Sequence, residues 1–319
     1  MVKNRHPAGQ AAPGVTFTAP VRASAGLEVF SLAALRARCR ARGADPGVPQ
    51  RPGFHHVLTL ASGTLRATVD FTAHDVARGD WLWTRPGQVL QWGDLTRAEG
   101  TLIVFERDFP DAATVRAARL DDPHARVLRT PKAEDAASLR VATTHLEHEF
   151  RAPGRLPADA HLAVLRHLLD ALILRLAHLE APGSAVPEPR ETFLRFREIV
   201  ERDFARTRRV DDYAVTLGYS ARTLSRAALD SAGVGAKEFI DRRVVLEAKR
   251  LLAHTDLAAA RIAAQLGFSS ATNFAKYFHQ RAGQAPIAFR TAVRGQGAGT
   301  PAARAEEDFT RRTERPADA

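Results

Sequence analysis

Tyr213-Ala-Val-Thr-Leu-Gly-Tyr-Ser-Ala-Arg-Thr-Leu-Ser-Arg226 and Ile262-Ala-Ala-Gln-Leu-Gly-Phe-Ser-Ser-Ala-Thr-Asn-Phe-Ala-Lys276 are two versions of one phrase. Each sets an apolar–Ala pair before Leu-Gly-aromatic-Ser and follows it with a helix that opens polar and then buries an apolar residue. The first runs on to Gly233 and the second to Gly283. The pattern reads as helix, turn, helix. A small Ala lets the second helix approach, a Gly ends the first helix in the left-handed conformation, and a Ser caps the next. Such a unit lays a short helix in the major groove of DNA. Two copies about 50 residues apart would mount two of them on one support.

Residue by residue, Asp211 is expected to cap the first helix, with Asp212 near the positive end of its dipole. Ala214 and Leu217 face the core, Gly218 makes the turn and Ser220 caps the second helix. That helix exposes Ala221, Arg222, Thr223, Ser225 and Arg226 and turns Leu224 and Leu229 inward. In the second copy Ala263, Leu266, Gly267 and Phe268 repeat the logic, and Ser269 takes the cap. Ser270, Ala271, Thr272, Asn273 and Lys276 are exposed, with Phe274 and Phe278 inward. The offset between copies is 49 up to the cap and 50 beyond it. Between them, apolar positions 240, 244, 245, 248, 251 and 252 share one face of a connecting helix over 239–252. Two readers on one side of B-DNA would stand about one helical turn apart, roughly 34 Å. Arg222 and Arg226 have the chemistry to read guanine edges or to grip phosphate, and Asn273 has the right group for adenine.

The charge agrees with a polyanionic partner. The chain carries a net +10, and residues 191–294 hold 18 Lys and Arg against 11 Asp and Glu, so about +7 of it lies in the duplicated block. At 319 residues there is room for two domains. A single cysteine, Cys39, excludes an internal disulfide and a cysteine-based zinc site. No signal peptide is read at the N-terminus, and the leucine-rich 162–179 segment carries Arg166, His167, Asp170, Arg175 and His178, so no membrane span is expected. These features point to the cytoplasm.

Five regions follow. Residues 1–24 are Ala-, Gly- and Pro-rich and expected to be disordered. Within 25–180, a strand and helix over 27–42 precede a series of short strands at 56–60, 64–71, 81–83, 89–92 and 101–105, the first two read as a hairpin about Ala61-Ser-Gly63. Their spacing suggests a small antiparallel barrel or sandwich. Helices over 133–150 and 159–180 close this part. Leu162, Leu165, Leu169, Leu172, Ile173, Leu176 and Leu179 line one face of the second, for packing or for dimerisation. Proline-punctuated 181–190 is a linker, 191–294 a helical block and 295–319 a disordered tail. The fold class is α+β in two domains.

The segment 191–294 resembles the AraC/XylS DNA-binding domain throughout. The resemblance is carried by Ala214-x-x-Leu-Gly-Tyr-Ser220, Arg222-Thr-Leu-Ser-Arg226, Arg243-x-x-x-Glu-Ala-Lys-Arg-Leu-Leu252, Ile262-Ala-x-x-Leu-Gly-Phe268, Asn273-Phe-x-Lys-Tyr-Phe278, Gly283-x-x-Pro286 and Phe289-Arg290. It implies a bacterial transcription regulator with an all-α double helix-turn-helix, which reads double-stranded promoter DNA with Arg222, Ser225, Arg226, Ala271, Thr272, Asn273 and Lys276. Ala228 departs from the family, standing where a buried Phe is usual, and Ala271 is short for a base contact. Arg51-Pro-Gly-Phe-His55, Ser62-Gly63, Val69-Asp-Phe71 and Gly79-Asp-Trp-Leu-Trp-Thr-Arg-Pro-Gly-Gln-Val-Leu-Gln-Trp92 resemble the cupin-like effector domain of such regulators. That implies a β-barrel with accessory helices sensing a small-molecule effector, a homodimer, and RNA polymerase as a partner if the protein activates.

His55, Trp83, Arg85 and Gln91 are the candidate lining of an effector cavity, with core filling as the alternative for the tryptophans. No metal is expected. Leu90 and Gln91 occupy the stretch where a metal-binding cupin has its histidine, and adjacent His55 and His56 point to opposite faces of a strand. His145, His148 and Glu149 read as a solvated helix face. No nucleophile elbow, phosphate loop or dinucleotide fingerprint appears, so neither enzymatic activity nor a cofactor is expected. Two alternatives stay open: a barrel that only dimerises the protein, and a cupin enzyme fused to a DNA-binding module.

Overall fold

A computed structural model describes residues 26–152, 154–179 and 191–295. The expected disordered termini and the 181–190 linker lie outside these, apart from Gly295. Strand β1 (Leu27–Ser31) leads directly into helix α1 (Leu32–Ala41), whose first turn is capped by the Ser31 hydroxyl accepting from the Ala34 N–H. Six strands follow: β2 (His55–Gly63), β3 (Leu65–Val69), β4 (Thr72–Val76), β5 (Trp81–Thr84), β6 (Leu90–Trp92) and β7 (Ala98–Phe105). Helix α2 (Ala112–Ala117) and the two-residue strand β8 (Leu128–Arg129) precede the long helices α3 (Ala133–Arg151) and α4 (Ala158–Ala177).

The strands form two antiparallel sheets rather than one closed ladder. One has the order β1-β7-β2-β5-β8, the other β4-β3-β6. The hairpin expected between 56–60 and 64–71 does not form. β2 runs on through Ala61 and Ser62 because β7 pairs with it as far as Gly63, at the cost of a register shift between Leu60 and Ser62. The chain then crosses to the other sheet. The bulge thus falls at Ala61, and Gly63 (φ 75°) is the last paired residue of β2, opposite Ala98, rather than part of a hairpin turn. The actual hairpin joins β3 to β4 through Asp70 and Phe71, with Val69 opposite Thr72. Both turn residues have positive φ, 47° and 69°, the signature of a two-residue primed turn that normally selects Asn-Gly.

Strand alternation sorts the core. Leu58, Leu60, Leu65, Ala67, Val69, Leu82, Leu90 and Trp92 pack between the two sheets and against α1. Val57, Trp81, Trp83, Ile103 and Phe105 point the other way, onto α3 and α4. The leucine stripe of α4 is spent there: Leu165, Leu169, Leu172, Ile173 and Leu176 are fully buried against the sheet and α3. Its packing role is therefore met within the chain.

The second half is helical: α5 (Glu191–Asp203), α6 (Val210–Leu217), α7 (Ala221–Ala232), α8 (Ala236–His254), α9 (Ala259–Gln265), α10 (Ala271–Ala282) and α11 (Pro286–Gly295). Two cores lie along α8. One gathers α5, α6 and α7 around Phe196, Tyr213, Leu224 and Ile240; the other gathers α9, α10 and α11 around Ile262, Leu266, Phe274, Phe278 and Phe289. No helix among the described residues is long and apolar enough to cross a membrane.

Candidate DNA-binding interface

Each copy of the repeated phrase folds as two helices about a tight turn. α6 ends at Gly218 (φ 70°), and the Tyr219 N–H returns to the Ala214 carbonyl at 3.0 Å. After α9, Gly267 (φ 71°) turns the chain and the Phe268 N–H returns to the Ala263 carbonyl at 2.9 Å. Only glycine adopts this conformation freely. Ser220 caps α7 by accepting from the Thr223 N–H at 3.1 Å. In the second copy the capping residue is Ser270, not Ser269: its hydroxyl accepts from the Asn273 N–H at 3.1 Å, while Ser269 accepts from the Asn273 side-chain amide at 3.0 Å. The one-residue change of offset therefore lies in the turn, and α7 and α10 correspond at a constant spacing of 50. Two further expectations change. Arg209, rather than Asp211, occupies the N-cap of α6, and both aspartates sit in its first turn. Leu229 is exposed rather than inward, because the buried stripe of α7 runs through Leu224, Ala227 and Ala228.

Ala228 is fully buried, and aromatics from other helices build the first core around it. Phe196 of α5 packs edge-on to Tyr213 of α6 at 5.8 Å between centroids, and Phe239 of α8 meets Phe193 and Phe196 at 5.3 and 5.8 Å. In the second copy the aromatics sit on the reader itself, with Phe274 and Phe278 in contact and Phe278 against Phe289.

The candidate reading residues lie on these two helices. Arg222 and Arg226, one turn apart on α7, are exposed, with Ser225 half-buried between them. Neither arginine has an ion-pair partner among the described residues. On α10, Thr272, Asn273 and Lys276 are exposed and Ala271 is half-buried. α10 is pinned to α8 by the buried Asp241, which accepts from Tyr277 at 2.8 Å and from Arg281 at 2.5 Å and pairs with Lys237. Burial pushes the Asp241 carboxyl up, but these donors outweigh it and hold it below the usual carboxylate range. Burial and the Asp241 hydrogen bond in turn push the Tyr277 phenol up. Arg208 clamps the second turn from the first copy, donating to the Leu266 and Gly267 carbonyls at 2.8 and 3.0 Å and lying over the Phe268 ring at 4.0 Å.

The opposite side of α8 meets the sheet-bearing half. Arg250 donates to both carboxylate oxygens of Asp70 at the β3–β4 hairpin tip, at 2.8 and 2.7 Å. Arg51 donates to Glu247 at 2.7 Å and to the Gly87 carbonyl at 2.8 Å. Phe71 packs edge-on to Phe289 of α11 at 5.3 Å. A second contact joins the loop after α2 to α5: Arg197 donates to Asp122 at 3.0 Å, and His124 lies 3.0 Å from Glu201. Burial raises Glu201 and Glu247, but His124 and Arg243 at the first, and Arg51, Arg243 and Arg250 at the second, hold both carboxyls below the usual range. No short-range sequence pattern signals these contacts. Asp70 and Arg250 are 180 positions apart, and no local pattern couples them.

Of the four candidate effector residues, His55, Trp83 and Arg85 come together on the helix-facing side of the larger sheet. The Trp83 indole N–H donates to His55 Nδ1 at 3.3 Å, and the Arg85 guanidinium lies over the Trp83 ring at 4.6 Å. Gln91 is elsewhere, on the smaller sheet, bonded to the Gly47 carbonyl at 3.1 Å. His56 points between the sheets and meets Phe54 and Trp92. Arg129 joins the Trp83 group, and no local pattern marks it because β8 is only two residues long. The side-chain polar atoms of Asp111, His167 and Asp170, which lie within 4.8 Å of one another, likewise share no local sequence pattern.

The profile of a helix-turn-helix domain matches residues 213–292. The HTH-type transcriptional regulator RipA of Corynebacterium glutamicum is 32% identical over 132 residues, 41% of this chain and 39% of RipA. The probable transcription factor PqrA of Proteus vulgaris is 33% identical over 82 residues, 26% of this chain and 67% of PqrA. The chain belongs to the AraC/XylS family of helix-turn-helix regulators. The match therefore spans about two fifths of RipA and two thirds of PqrA. Among solved structures, ToxT of Vibrio cholerae is similar at a TM-score of 0.40 and 14% identity, over 78% of this chain and 92% of that one.

Proposed function

We propose that the protein is a sequence-specific DNA-binding transcription regulator whose N-terminal half senses a small molecule. The observation that supports this most is the pair of serine-capped helices, α7 and α10. Their exposed faces offer Arg222 and Arg226 on one and Thr272, Asn273 and Lys276 on the other, and both are braced on α8. Two unpaired guanidiniums one turn apart suit guanine edges or phosphates, and an amide beside a threonine suits adenine and a thymine methyl. Ser225 and Ala271, half-buried, would make shorter contacts.

In this reading residues 25–180 form a cupin-like sensing unit, 181–190 link it to the 191–294 reader, and the protein works in the cytoplasm as a homodimer, with RNA polymerase as partner where it activates. A ligand that prefers one arrangement of the two halves shifts the balance between arrangements. The contacts from Asp70 to Arg250 and from Asp122 to Arg197 are the joints such a shift would act on. Selection of bound fragments from a genomic library, followed by titration of the selected sites against scrambled duplexes, tests the reading. Selected sites bound at least a hundredfold more tightly than scrambled ones support it; equal affinity for all duplexes sinks it.

A further inference from the structure

Three buried N–H groups surround the Trp83 indole with no acceptor among the described residues. The first belongs to Arg85, which directly follows β5 and is only 3% exposed. Among the described residues its guanidinium makes one hydrogen bond, a long 3.4 Å contact to the Trp83 carbonyl, and its Nε is unpartnered. The second belongs to Arg129 on the adjacent strand β8, whose guanidinium carbon lies 5.7 Å from the same ring. Its Nη1 is held by the Leu176 and Ala177 carbonyls at the end of α4, and its Nε is unpartnered. The third belongs to His55, stacked on Phe105 at 4.7 Å. Because Trp83 donates to its Nδ1, the neutral ring carries its proton on Nε2, and that atom is also buried without a partner.

The chemistry of the three is one-sided. All are donors, and two belong to cations. Folded proteins bury charge only when it is paired, yet no carboxylate stands within ion-pair distance of Arg85 or Arg129 among the described residues. The acids closest in effect to Arg85, Asp122 and Asp121, are engaged elsewhere, Asp122 with Arg197 at 3.0 Å and Asp121 with Arg107 at 3.1 Å. Water would satisfy donors but leave the charge, and a cation would be repelled. An anion with several lone pairs in a plane meets both needs, and a carboxylate offers about four acceptor sites to guanidinium N–H groups. The walls are apolar: Trp83, Phe105 and the inner face of α4.

We propose that Arg85, Arg129 and His55, arranged around Trp83, form a buried site for a short organic carboxylate. This deepens the sensing role proposed above and rests on it. The site lies between the larger sheet and the helix layer, not between the two sheets. It also borders the joint between the halves, since the Trp83 N–H donates at 2.7 Å to the Val127 carbonyl, in the same loop that sends Asp122 and His124 to α5.

The test is thermal unfolding of the full chain with acetate, propionate or malonate against equal ionic strengths of chloride, with acetamide as the uncharged isostere and inorganic phosphate as a second oxyanion. The expected result is a saturable rise of several degrees with at least one carboxylate and none with acetamide or chloride. Arg85→Met should abolish that rise and should itself raise the unliganded melting temperature, because it removes an unpaired buried charge. Arg129→Gln should weaken the carboxylate midpoint at least tenfold, and it carries the test should Arg85→Met fail to fold. The proposal is overturned by no saturable shift with any carboxylate, by an equal shift with acetamide, by a shift with phosphate alone, or by a carboxylate shift that survives both substitutions. The sensing role fails separately: carboxylate binding that leaves affinity for the selected DNA sites unchanged removes that role and keeps the site. A ligand that still alters DNA affinity in Arg85→Met does the reverse.

Discussion

Replacing Asp70 by Asn and Arg250 by Met, singly and together, measures how firmly the reader is held to the sheet-bearing half. The two side chains meet in a two-point geometry at 2.8 and 2.7 Å, with 14% and 7% of their surfaces exposed. Removing one partner of a buried pair costs about 3–5 kcal/mol, since the survivor stays buried and unpaired. Asp70 also accepts from Gln88 at 2.8 Å and from the Val89 N–H at 3.0 Å. Asn retains an acceptor for one of these, so Asp70→Asn should fall at the low end, about 3 kcal/mol. Arg250 keeps a second acid, Glu247, at 3.5 Å, which shares its charge but leaves the two-point bond to Asp70 as the dominant contact. In a double-mutant cycle read by urea unfolding, the coupling should be about 2 kcal/mol, within the range of about 1.5–7 found for close interfacial charge pairs. A coupling under about 0.5 kcal/mol is what a solvated surface pair gives. That value would refute the reasoning, because it would mean that the halves are not held by this contact in solution.

Three further outcomes are expected. Arg226→Ala should cost roughly 1–3 kcal/mol of DNA affinity and relax selectivity at one base pair; an equal loss on every duplex would show a phosphate contact instead. Gly218→Ala, where no atom lies within 4 Å of the new Cβ, should cost about 1–2 kcal/mol for the left-handed backbone alone. Gly267→Ala, whose Cβ would meet the Ala205 carbonyl at 2.1 Å, should cost clearly more in the same urea assay, and equal losses would contradict the packing described for the second turn. Burial depresses His55 to about 3, helped by the Arg85 charge, and His56 to about 4. Both folded values lie below the unfolded value near 6.5, so the unfolded chain binds more protons in between. Their contribution is complete above about pH 6.5 and is lost as pH falls, at roughly 1.4 kcal/mol per pH unit for each. Stability that is flat from pH 7 to pH 5 would contradict it.

The helical half was legible because its signals are local. An αL glycine, a serine cap and a 3.6-residue apolar period each act within one or two turns, and each was written twice. Even so, the cap slid from Ser269 to Ser270, since two adjacent serines offer the same group and only the turn geometry chooses between them. Leu229 is apolar yet exposed, because the small Ala227 and Ala228 take the inner positions. The sheets were less legible. Strand existence is visible at most positions, but pairing is not, so Gly63 carries the local signal of a turn while it pairs with Ala98 inside the sheet. β4, with exposed Thr72 and Ala73, has no alternating apolar signal, and Asp70-Phe71 lacks the Asn-Gly signal of its turn type. The charges that join the two halves left no trace, since partners at such separations share no period. Among the effector candidates, strand parity correctly separated His55 from His56, but it could not put Gln91 in its sheet.

The Asp70-Phe71 turn bears on how far the two halves can be treated as interchangeable parts. A non-glycine aromatic held at positive φ is a local cost, and here the bulk of Phe71 is accommodated by a side chain, Phe289, that belongs to the other half. Cut at the proline-rich segment, residues 191–295 would carry away Phe289, Glu247 and Arg250 and leave Phe71, Arg51 and Asp70 behind. A graft of residues 191–295 onto another N-terminal domain would therefore need the hairpin tip and the inner face of α8 to travel as a matched set. In this protein the seam drawn by chain connectivity and the seam drawn by complementary side chains run in different places.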